Sequence, residues 1–120
     1  MQRVWIGLGS LAGLLAVAVA ALAAHSLGAL DARALEMVRD ADQMQAWHAL
    51  ALLACGLWAP RGGRLAHAAA TSFVLGLTLF CGAVYALAIG GIHLPLVAPV
   101  GGSLLMLGWL LLGLSAVRAR

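Results

Sequence analysis

The chain has 120 residues, 64% of them hydrophobic and 9% charged, with a mean hydropathy of +1.04 and a formal charge of +3. A water-soluble domain carries roughly 25% charged residues to keep its surface hydrated, so this composition excludes an aqueous exterior and points to one domain, residues 1–120, surrounded by lipid. The seven basic residues are all arginines and form no stripe interleaved with exposed aromatics, so no nucleic-acid partner is expected despite the pI of about 9.7.

Crossing a hydrocarbon core of about 30 Å takes about 20 apolar residues as a helix. Four stretches stand out in chain order, at about 4–24, 44–59, 65–90 and 96–117; the second rises only about 24 Å, but no Pro or Gly between Ala29 and Cys55 stops its helix from extending back toward Asp31. The sequence therefore predicts an all-α, four-span transmembrane helical bundle. The run at 4–24 exceeds the apolar core of about 7–15 residues in a secretory signal, so a retained span is expected over a cleaved leader.

Between the first two spans, Leu27, Leu30, Ala34, Met37, Ala41 and Met44 recur at spacings of three and four, opposite Arg33, Glu36, Arg39, Asp40 and Asp42. This pattern predicts an amphipathic helix over 31–43 lying at the membrane interface, capped by Asp31. A bend near Gln43 would lead into the second span; a straight continuation is the alternative. That second span ends at "PRGGR".

Arginine bias sets orientation, because positive charge favours the cytoplasmic side. Four spans place Arg3, Arg61, Arg64, Arg118 and Arg120 on one side, and Arg33, Arg39 and all four acids on the other. Both termini are expected in the cytoplasm.

Lipid tails are as apolar as leucine, so spans associate through close backbone packing and a few polar bonds. Gly9 and Gly13 form a GxxxG pair; Gly76, Gly82, Gly101 and Gly102 are further candidates for helix packing. Such faces serve contacts within the chain or between copies. Pro99, four residues after Pro95, predicts that the fourth span is kinked or starts only near Val100.

In this topology His25, His48 and His93 fall at the outward end, with Tyr85 near the same level and Gln45 one turn before His48. His25, Gln45, His48, Tyr85 and His93 thus form a candidate outward polar cluster. Interhelical hydrogen bonding is the favoured role. Proton or substrate handling comes next, since imidazole titrates near neutral pH. A metal site at His25 and His48 ranks last, because no Cys or acid is spaced to complete four ligands. Cys55 and Cys81 lie at depths roughly 15 Å apart by helical rise, too far for a disulfide. Trp5, Trp58 and Trp109 suit interfacial anchoring, with Trp109 the deepest and more a packing residue, and Trp47 is placed to cover His48. No catalytic constellation is visible, and neither enzymatic activity nor a cofactor is expected.

Four motifs in order, "ALAAHSL" (21–27), "MQAWHALALL" (44–53), "LFCGAVYALAI" (79–89) and "PVGGSLLMLGW" (99–109), resemble the small membrane family called domain of unknown function 423, whose relatives include transmembrane protein 256. The family's histidines match His25 and His48, its Gly and Tyr of the third span match Gly82 and Tyr85, its Pro-x-Gly-Gly matches Pro99, Gly101 and Gly102, and its Gly-Trp matches Gly108 and Trp109. The chain departs at Ala20, Ala23 and Ser26, where the family is richer in glycine, and His93 matches no family position. The resemblance implies a four-span membrane protein and supplies no activity. The expected role is structural or partner-binding, in a bacterial inner (plasma) membrane, with the lipid bilayer and a second copy or another membrane protein as partners. The alternative is a transporter or channel component for a proton, metal ion or small solute, using the histidine cluster.

Overall fold

Three helices account for nearly all of the computed structural model, which describes residues 1–119: α1 (Gln2–His25), α2 (Ala32–Gly90) and α3 (Val97–Arg118). Arg120, one of the orientation arginines, lies outside the described residues. There is no strand among the described residues, and each helix is long and apolar enough to cross a membrane.

A straight helix of 59 residues would run about 88 Å, yet the longest extent of the molecule is 52 Å. The difference arises at Gly63, where φ of 59° and ψ of −143° interrupt α2. That backbone region is essentially restricted to glycine. It turns α2 into a hairpin with a first arm, 32–62, and a second arm, 64–90. Pro60 is accommodated just before the break, in the last turn of the first arm.

The helices pack antiparallel. Gly9 of α1 lies against Ala49 and Leu52, the Cys81 thiol donates to Ala41 O at 3.3 Å between the two arms, and Gly76 faces Gly101 of α3. Among the described residues the backbones of α1 and α3 do not approach each other closely; each packs against the α2 hairpin, which holds the core between them. Trp5, Leu52, Cys55, Phe73, Leu77 and Leu105 anchor that core.

Two expectations about helix ends are corrected. No bend occurs near Gln43: the backbone stays helical from Ala32 to the Gly63 break. The 31–43 segment is thus a continuous extension of the first arm and not a separate interfacial helix. Its apolar side is taken up by protein, since Val38 clusters with Val19 and Ala23 of α1, Leu27 and Leu30 of the connection that follows it, and Ala88 of the second arm. Asp31 does cap this helix, accepting from Ala34 N–H at 2.7 Å. Similarly, α3 is unbroken and begins at Val97. Pro99 falls in its first turn, where a missing N–H has no intrahelical partner to lose. At the end of the second arm, Gly91 adopts φ of 67°; its N–H and that of Ile92 reach Leu87 O and Ala86 O.

Candidate functional site

Most buried polar side chains with described partners tie one helix to another. His48, on the first arm, is 2% exposed. Trp109 of α3 donates its indole N–H to His48 Nε2 at 3.1 Å. An indole nitrogen can only donate, so Nε2 accepts and the ring proton sits on Nδ1, which donates to Met44 O at 2.6 Å. Both ring nitrogens of a neutral imidazole are thereby engaged. Phe73 of the second arm completes an aromatic trio, its centroid 5.5 Å from His48 and 5.2 Å from Trp109, both tilted edge-on. Edge-to-face pairs at such distances are favourable beyond their burial.

One turn toward the 26–31 connection, Gln45 is 7% exposed. Its amide N–H donates to Ala12 O of α1 at 2.9 Å, and its Oε1 accepts from the Tyr85 hydroxyl of the second arm at 2.9 Å. Gln45 thus joins three helical segments. At the opposite end of the molecule, Trp5 donates to His67 Nδ1 at 2.8 Å, and Trp58 donates to Ser115 Oγ at 2.9 Å. The start of α1, the Gly63 break and the end of α3 therefore gather at one end. The 26–31 and 91–96 connections lie at the other. Ser72 adds a bond from the second arm to Leu104 O at 2.6 Å.

Of the residues expected to cluster, the structure joins Gln45 and Tyr85. His48 instead turns to Trp109 on α3. His25 and His93 are exposed, with His93 bordering a small surface hollow beside Leu94 and Pro95. Trp47, expected to cover His48, is 54% exposed; Trp109 does the covering. No group of three His, Cys, Asp or Glu side chains is placed to hold a metal among the described residues. Cys55 and Cys81 are free and buried. Asp42, one turn outward of Gln45, keeps its Oδ1 buried without a partner among the described residues.

The glycines divide by their neighbours. A Cβ on Gly9 would stand 2.9 Å from Ala49 O and 3.1 Å from Leu53 N; one on Gly76 would stand 2.8 Å from Gly101 O and 2.9 Å from Leu105 N. Gly101 is pressed onto Phe80 and Gly76 in return. Gly13 and Gly102 make ordinary contacts, and Gly82 has open space. Two close approaches within the spans were not singled out as packing contacts in the sequence: Gly56 against Ile6, and Gly108 against the Phe73 ring. Both were visible as glycines inside apolar spans, but sequence spacing did not show which faces met. The Trp5–His67, Trp58–Ser115 and Ser72–Leu104 ties were missed for the same reason.

A bundle of apolar helices fastened by a few interhelical polar bonds defines an all-helical membrane protein. Residues 19–102 match the model of a family described as "Protein of unknown function (DUF423)". The chain is 33% identical over 122 residues to a UPF0382 membrane protein of Haemophilus influenzae, covering 100% of this chain and 98% of that protein. It is 31% identical over 119 residues to a UPF0382 membrane protein of Staphylococcus epidermidis, covering 98% of each. It is 30% identical over 124 residues to the UPF0382 inner membrane protein YgdD of Escherichia coli, covering 99% of this chain and 93% of that one. The chain belongs to the DUF423 family of small membrane proteins. No solved structure matches it significantly.

Proposed function

We propose that this chain is a structural membrane protein that crosses the bilayer four times and self-associates. Its two α2 arms would serve as the second and third spans, and both termini and the Gly63 turn would lie in the cytoplasm. Helix lengths support this reading: α1 and α3 run about 36 and 33 Å, enough for a core of about 30 Å. The arginine bias supports the orientation, since Arg3, Arg61, Arg64 and Arg118 all fall near the Gly63 end.

The observation that carries the structural role is the His48 tie. Both ring nitrogens of the most buried histidine are engaged in holding the first arm to itself and to α3. Self-association draws support from Gly113, which lies exposed on α3 with open space where a Cβ would stand. It lines an outward hollow of about 420 Å³ with Ala54, Trp58, Trp109, Leu112 and Ala116. Small residues on a lipid-facing surface let another helix approach closely.

Chemical cross-linking in native membranes tests this. The wild-type chain should yield a discrete oligomer, Gly113→Leu should reduce its yield severalfold, and His48→Gln should largely retain it. A wild-type chain that stays monomeric at all cross-linker doses would refute the proposal.

A further inference from the structure

A cleft of about 280 Å³ runs between α1 and the two arms of α2, lined chiefly by Leu8, Leu11, Leu52, Val74, Leu77 and, at one end, Gln45, Cys81 and Tyr85. From Val74 to Tyr85 it extends about 16 Å along the second arm. The inner part is apolar and the part nearer the connections is polar. Its mouth is formed by Leu11, Leu15, Thr78 and Gly82, all exposed on the outer surface of the bundle. Apolar hollows stay free of water, so the occupant that suits this cleft is hydrocarbon entering sideways from the bilayer.

The polar end specifies more. A glutamine amide has two N–H donors and a carbonyl with two lone pairs. Gln45 uses one donor on Ala12 O and one lone pair on the Tyr85 hydroxyl, which leaves one N–H of a nearly buried side chain without a described partner beside the cleft. The second arm is about 40 Å long, so in a core of about 30 Å its ends protrude roughly 5 Å on each side. Tyr85, five residues before Gly90, lies about 7 Å in from the end. That depth is close to the hydrocarbon boundary, where the ester groups of phospholipids begin.

We propose that the cleft binds one acyl chain of a phospholipid from the leaflet on the side of the 26–31 and 91–96 connections, with the chain's ester carbonyl accepting the free Gln45 N–H. The depth argument rests on the four-span placement above.

The test uses full-length protein in phosphatidylcholine vesicles with doxyl-labelled phosphatidylcholine, the immobilised fraction being read by electron spin resonance. Gly82→Phe fills the mouth from a position whose Cβ meets nothing within 4 Å, and it should remove one immobilised chain per protein. On the wild-type protein, a dialkyl ether-linked probe lacking the carbonyl should bind about 2- to 10-fold more weakly than the ester, as expected for one lost hydrogen bond. The ester–ether comparison needs no variant, so it holds whether or not Gly82→Phe folds. Equal retention of ester and ether probes would overturn the proposal, as would an immobilised fraction unchanged in a folded Gly82→Phe protein. Displacement of the ester probe by decylubiquinone, without displacement by unlabelled phosphatidylcholine, would overturn it too. Failure of the four-span placement would appear separately, in the sidedness of the connections.

Discussion

Replacing Trp109 with Phe removes the indole N–H, together with part of the ring system, while keeping an aromatic ring against Phe73 and His48. In the structure that N–H reaches His48 Nε2 at 3.1 Å, and His48 is 2% exposed with its other nitrogen held by Met44 O. The ring cannot turn to find a substitute without breaking the Met44 bond. Interhelical hydrogen bonds in membranes are worth about 0.6 kcal/mol on average and up to about 1.7. An acceptor left buried and unsatisfied costs about 1–3 kcal/mol. The indole is 49% exposed, so the lost ring atoms open a notch toward lipid and not a closed cavity, and their contribution is small. A loss of about 1–2 kcal/mol follows. Reversible unfolding in mixed micelles titrated with dodecyl sulfate measures it for Trp109→Phe, His48→Leu and the double variant. The cycle should return a coupling of about 0.6–1.7 kcal/mol. A coupling near zero would mean that the bond contributes nothing, and the reasoning about His48 would fail.

Three further outcomes follow from backbone geometry. Gly76→Ala places a methyl against Gly101 O and Leu105 N, both backbone atoms that cannot move aside; it should destabilise by about 1–3 kcal/mol in the same titration. Gly82→Ala, at a position with open space, should change stability by less than about 0.5 kcal/mol, although both glycines lie on the second arm. Gly63→Ala must hold an alanine at φ of 59° and ψ of −143° and should cost about 1–3 kcal/mol in the same titration, although a Cβ there meets no atom within 4 Å.

Much of this architecture was legible because the membrane imposes it. Apolar length marked the helices, Asp31 announced its cap, and the "PRGGR" stretch marked where the first arm ends near Gly63. The 31–43 segment was misread for a physical reason. Its stripe of Leu30, Ala34, Met37 and Ala41 opposite charges suits an interfacial helix, and it equally suits a helix whose apolar side packs on Ala23 and Ala88. Periodicity shows that a face needs cover but does not say whether lipid or protein provides it. Pro99 was read as a break because its distance from the helix start depends on the 91–96 turn, which sequence does not fix. At the polar seam, residue types and approximate depth gave the Gln45–Tyr85 level. The rotation of each helix was missing, and rotation is what sends His48 toward Trp109 while His25 and His93 stay outside.

Sidedness of the connections tests the four-span account most directly. Single cysteines at Gly28, Arg61, His93 and Arg118, with Cys55 and Cys81 replaced by alanine, would be treated with a membrane-impermeant maleimide in sealed cells and again after permeabilisation. The account predicts labelling of residues 28 and 93 in sealed cells, and of residues 61 and 118 only once the membrane is opened. Labelling of residues 28 and 61 from the same side would contradict it.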